Sequence, residues 1–106
     1  MSGAEAGPWT RLDAEAVAAY AELTQDFNPI HLDPDFAAGT PLGRPIVHGT
    51  LTLSLVWPLV GAEAALELRF VKPVFVGEEV RATPTEAGVE VENRAGETVL
   101  AATVAT

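Results

Sequence analysis

Asp26, Asn28 and His31 bring a carboxylate, an amide and an imidazole into the six residues Asp26-Phe27-Asn28-Pro29-Ile30-His31. A carboxylate that holds a water beside a neutral imidazole can act as a general base, provided the two side chains meet. Spacing alone is a weak signal, because Asp-x-Asn-Pro is also turn chemistry in which short side chains bond the local backbone. The sequence that follows strengthens the catalytic reading. The 17 residues from Pro45 to Gly61 contain no Asp, Glu, Lys or Arg, and a carboxylate desolvated against such a run is costly unless paired.

The neighbouring elements must position these groups. Asp13 suits the N-cap of a helix running to Thr24, with Val17, Tyr20, Ala21 and Thr24 on one face. Pro29 disfavours helical geometry at Asn28, so the chain turns out of that helix around Gln25 to Asn28. Asp33-Pro34 reads as an N-cap with proline in the first turn, opening a short helix to Ala38, and Gly39 to Pro45 reads as a loop. From Val47 to about Val60, leucine and valine fall on all sides of a helical wheel, which predicts one buried helix. His48, at its start, reads as a capping or packing residue.

After Gly61 the period changes to two. Leu66 to Phe70 is expected to continue past Pro73, through a bulge, to Val76. Strands at Glu79–Thr83, Gly88–Glu92 and Glu97–Ala105 follow, with a short edge strand between Gly7 and Leu12. Their short connections favour antiparallel pairing. The layer solution is an α+β domain, one twisted sheet curled around a central buried helix. Its edge strands predict self-association into a homodimer or higher homo-oligomer.

At 106 residues the chain fits a single domain spanning 1–106. Fifteen acidic against six basic residues give a formal charge of −9, which disfavours nucleic acid and anionic membrane as partners. The absence of cysteine removes thiolate chemistry and thiol-bound metals. With no basic, apolar leader in the first residues, the expected location is the cytoplasm.

The segment Tyr20-Ala-Glu-Leu-Thr-Gln-Asp26-Phe-Asn28-Pro-Ile-His31-Leu-Asp33, followed by Gly43-Arg-Pro-Ile-Val-His48-Gly49-Thr-Leu51, resembles the hydratase motif of the MaoC-like, (R)-specific enoyl-CoA hydratases of the hot-dog fold. Phe70-Val-Lys-Pro-Val-Phe-Val-Gly-Glu-Glu-Val80 is similar to the family's strand after the central helix. The resemblance implies that Asp26 and His31 activate a water for addition to a trans-2-enoyl-CoA, giving an (R)-3-hydroxyacyl-CoA. It implies that Asn28 orients the water or the His31 ring, and that the Gly49 backbone N–H polarises the thioester carbonyl. No metal or redox cofactor is expected, and coenzyme A enters as part of the acyl-CoA thioester substrate.

Three further positions bear on substrate. Arg44 could meet a coenzyme A phosphate. Thr50 stands where relatives commonly carry a methionine-type residue, and Trp57 stands where they carry a smaller one. Trp57 is therefore expected to shorten the acyl pocket and favour short chains. Asp33 is better explained as a helix cap than as a second base. Two other functions suit the same fold: an acyl-CoA thioesterase, and a non-catalytic subunit that binds acyl thioesters. The segment Gly61 to Ala65 is shorter than its counterpart in relatives.

Overall fold

The computed structural model describes residues 6–61 and 63–105. Helix α1, Ala14–Thr24, starts where Asp13 accepts a hydrogen bond from Ala16 N–H at 2.9 Å, and it buries Val17 and Ala21. It ends at Gln25, whose φ of 59° turns the chain out of helical geometry. Two short helices follow. α2, Pro29–Leu32, was not expected; Asn28 caps it by accepting from Ile30 N–H at 3.0 Å. α3, Pro34–Ala38, is capped by Asp33, which accepts from Asp35 N–H and Phe36 N–H.

The expected continuous central helix is instead broken into α4, Gly49–Leu53, and α5, Trp57–Val60. Pro58 accounts for the break: it has no N–H to give the Ser54 carbonyl, and its ring clashes with that carbonyl in a regular helix. Across the gap the chain tightens, with Leu55 N–H bonding Thr52 O at 3.2 Å and Val56 N–H bonding Leu53 O at 2.8 Å. Nor is the segment buried all round. Val47, Leu53 and Val56 lie in the core, whereas Leu59 is exposed.

The five strands, β1 (Thr10–Arg11), β2 (Leu66–Phe70), β3 (Glu79–Pro84), β4 (Gly88–Asn93) and β5 (Thr98–Val104), form one antiparallel sheet ordered β1-β3-β4-β5-β2. Val80, Ala82, Val89, Val91, Leu100 and Ala102 face the core with Leu12, Val17, Val47, Leu53 and Val56. Val91 pairs with Leu100 and Glu92 with Thr98, leaving Val99 as an extra residue in a bulge. That bulge lets the consecutive residues Val99 and Leu100 both be buried.

β2 stops at Phe70 and does not run on to Val76. Val71 and Lys72 both donate to Val99 O, and Pro73 then has no N–H for the ladder. The next residues leave the sheet and grip the approach to α4. Val47 N–H donates to Val74 O at 2.7 Å, Val76 N–H donates to Pro45 O at 3.1 Å, and Ile46 forms a bridge with Phe75. The alternation predicted for β2 gives little burial, since Leu68 and Phe70 are exposed at the edge of the sheet. Among the described residues no helix is long and apolar enough to cross a membrane.

Gly88 tests the sheet packing. A Cβ there would lie 2.1 Å from Ala102 O and 3.1 Å from Thr103 Cα, both backbone atoms that cannot swing aside. Gly88→Ala is expected to cost about 2–4 kcal/mol in urea unfolding, in the range of strained backbone and overpacking changes. A cost within experimental error would show that β4 and β5 are not paired in this register.

Candidate active site

Asp26 leaves α1 with its N–H bonded to Ala21 O at 3.1 Å, and its Oδ1 accepts from Asn28 N–H at 3.3 Å. The carboxylate stays about half exposed, at 52%. His31, in the last turn of α2, is half-buried, and its Nδ1–H donates to Ile46 O at 2.7 Å. A carbonyl can only accept, so this bond places the proton on Nδ1 and leaves the Nε2 lone pair free. Ile46 N–H in turn donates to Ile30 O at 3.1 Å, so the two loops are tied in both directions.

His48 joins these groups, buried as a packing residue would be but without the capping bond to α4. The ring is 2% exposed and donates from Nε2–H to Asp26 O at 3.1 Å. One face stacks on His31, with ring centroids 3.8 Å apart and planes 27° from parallel. Tyr20 meets it edge-on at 5.1 Å, and the Tyr20 hydroxyl donates to Thr50 Oγ1 at 2.5 Å. The signal available in the sequence was a histidine at the mouth of a run with no other ionisable group.

Asp26, His31 and His48 each offer one ligand atom within 4.8 Å of the others, a set that could be considered for a metal. As arranged here, the His48 nitrogen of this set is already engaged. His48 presents a hydrogen at Nε2 to Asp26 O; to ligate through Nε2 it would have to move that proton to Nδ1, a buried atom with no hydrogen-bond partner among the described residues.

Gly49 follows His48 directly. The hydrogen bonds of α4 begin with Leu51 N–H to His48 O, so the Gly49 and Thr50 N–H groups precede the first bond of the helix. The Phe70 ring lies against Gly49: a Cβ there would be 2.9 Å from Phe70 Cε1. Ile46, Gly49, Thr52, Phe70 and Val99 line a cleft of about 260 Å³ beside it. Asp26 and His31 do not line this cleft. Ile46 links the two, as cleft wall and as acceptor for His31.

The remaining candidates are less central. Asn28 places its oxygen on Ile30 N–H, so it shapes α2 under His31 through the backbone. Asp33 caps α3, as expected. Arg44 stacks over the Phe75 ring at 4.0 Å, beside a second cleft that also includes Lys72. Lys72 is bonded to Glu97 at 2.8 Å; that bond, with a second from Asn93, holds the Glu97 carboxyl below its ordinary pKa. Thr50 is exposed and tied to Tyr20. Trp57 packs against the core and does not line the cleft beside Gly49.

The family model for the MaoC like domain matches residues 3–106. An (R)-specific enoyl-CoA hydratase of Aeromonas caviae is 50% identical over 80 residues, covering 68% of this chain and 60% of that protein. A 3-hydroxyacyl-thioester dehydratase Z of Mycobacterium tuberculosis is 37% identical over 94 residues, covering 77% and 62% respectively. The chain thus spans about 60% of the length of these curated relatives. The solved structure of the (R)-hydratase from A. caviae involved in PHA biosynthesis superposes with a TM-score of 0.80 at 34% identity, covering 98% of this chain and 94% of that one.

The capping geometry of Asn28 yields a test. Aspartate can also accept from Ile30 N–H, whereas alanine cannot, and loss of such a cap costs about 1 kcal/mol. Asn28→Asp should therefore keep nearly wild-type stability in urea unfolding, and Asn28→Ala should lose it. Equal losses would remove the cap as the purpose of this side chain.

Proposed function

The chain belongs to the MaoC-like domain family, with its α+β hot-dog fold, and from that premise we propose that it is an (R)-specific enoyl-CoA hydratase. The observation that carries this reading is the meeting of Asp26 with His31, whose tautomer Ile46 O fixes, in loops that adjoin the Gly49 N–H.

In the proposed reaction the Asp26 carboxylate holds a water, and His31 Nε2 accepts a proton from it as the water oxygen bonds to C3 of the trans-2-enoyl thioester. The electron pair of the double bond moves toward the thioester oxygen, where the Gly49 N–H stabilises the developing charge. Return of a proton to C2 completes the net addition of one water. The addition is redox-neutral, so it calls for no redox cofactor, and coenzyme A enters as the thioester. A preference for short acyl chains is part of the proposal.

We also infer a homodimer. β2 lies at the edge of the sheet, and the exposed Leu68, Phe70 and Val71 make its outer border apolar. Sheet extension by a second copy would pair the edge and cover these side chains. Sedimentation should give a dimer at micromolar concentration; a monomer there would remove the inference.

Crotonyl-CoA tests the reaction through loss of the conjugated-enoyl absorbance. Asp26→Asn keeps the shape but removes the charge, and His31→Ala removes the base. Each should lower kcat by about 100-fold or more. Wild-type protein should turn over crotonyl-CoA faster than long-chain enoyl-CoA. Near-normal hydration by Asp26→Asn would refute the mechanism, and release of free thiol in place of hydration would favour a thioesterase.

A further inference from the structure

We propose that His48 is a positioning residue for the Asp26–His31 pair, acting through its Nε2–H on the Asp26 main chain and through its ring face on His31. The role rests on the hydratase reading above.

His48 is the buried ionisable side chain among the described residues, the other buried polar side chains being Thr52 and Asn93. Packing alone does not account for a histidine here. Leucine or phenylalanine would fill a buried site without leaving Nδ1 unpartnered, as it is among the described residues. The other atoms of the ring are the ones with partners. Those atoms have two contacts, one with each member of the proposed base pair.

The first contact fixes Asp26. The Nε2–H bond to Asp26 O holds the main chain just beyond the end of α1, where the polypeptide is not in regular structure. The Asp26 Oδ2 lies 3.9 Å from the same nitrogen, too far for a direct hydrogen bond. His48 therefore acts on the backbone from which the carboxylate projects.

The second contact fixes His31. Its Nδ1–H bond to Ile46 O sets the rotation of the ring in its own plane. That bond leaves the ring free to tilt about the N–H···O axis. The His48 face, stacked at 3.8 Å, blocks the tilt from one side. His48 is itself backed edge-on by Tyr20, which is tied to Thr50 at the start of α4. The outcome is a free Nε2 on His31 whose direction is set by two neighbours. His48, with its own proton on Nε2, is oriented as a donor and does not compete as the base.

Three substitutions separate position from packing. Glutamine can place its amide nitrogen near the position of His Nε2, asparagine is too short to reach it, and phenylalanine keeps the flat face without a donor. His48→Gln, which keeps the donor but loses the ring face, should lose about 5- to 10-fold in kcat. His48→Asn and His48→Phe should lose about 30-fold or more, with KM changed by less than about 3-fold, as misplacement of reacting groups predicts. Long-range proton–nitrogen NMR should show the wild-type proton of His48 on Nε2 and that of His31 on Nδ1.

Equal kcat in His48→Phe and His48→Gln would overturn the proposal, as would losses that only track stability in urea unfolding or a His48 proton on Nδ1. Should His48→Phe fail to fold, the comparison of glutamine with asparagine decides. Wild-type protein that hydrates no enoyl-CoA overturns the hydratase reading, and the positioning role of His48 with it. An active wild type indifferent to the donor overturns the role of His48 alone.

Discussion

The site depends on the two hydrogen bonds made by one residue. Ile46 receives the His31 Nδ1 proton and gives its own N–H to Ile30 O, while its bridge to Phe75 joins it to the chain that has just left the sheet. Each bond is worth about 1 kcal/mol net. Their effect is larger than that sum because they link elements that would otherwise move separately. α2 has only four residues and α4 only five, far below the length at which an isolated helix is stable in water. Both exist because the surrounding fold holds them.

The core supplies that hold. Val47, Leu53 and Val56 enter it from the central segment and meet valines of β3, β4 and β5. Fully burying a valine contributes about 1.5–3 kcal/mol, more than any single hydrogen bond at the site. The hydrophobic contacts therefore fix where α4 lies, and the hydrogen bonds then set how the loops face one another. Pro58 adds a constraint of its own. It interrupts the helical ladder between α4 and α5, and Leu59 of α5 emerges at the surface.

Local chemistry was the most legible part of the sequence. Asp13, Asp33 and Pro34 act at neighbouring backbone groups, so the ends of α1 and α3 could be read from residue type alone. The period of two located β3, β4 and β5 for the same reason. Properties that depend on distant residues were less legible. β2 alternates like a half-buried strand, but its place at the sheet edge leaves Leu68 and Phe70 exposed. Trp57 was read as a wall of the acyl pocket, whereas the ring against Gly49 is that of Phe70, 13 positions later. Asp26 and His31 were identifiable from their motif, but the contact of His48 with both required two loops to be brought together.

The depth of each group follows from what its burial would cost. A carboxylate taken out of water without a partner loses several kcal/mol of hydration, whereas a neutral imidazole loses far less. Asp26 accordingly remains half exposed and His31 is half-buried, while His48, one nitrogen satisfied by a backbone carbonyl, can sit in the interior. The ordering runs from water to core across three side chains whose polar atoms lie within 4.8 Å of one another. A fully buried pair would hold its geometry more firmly, but the carboxylate would resist ionisation; a fully exposed pair would ionise readily but lack a fixed direction. Placing the charged group at the rim and the rigid group beneath it meets both requirements, and the short helices α2 and α4 supply the two sides of that boundary.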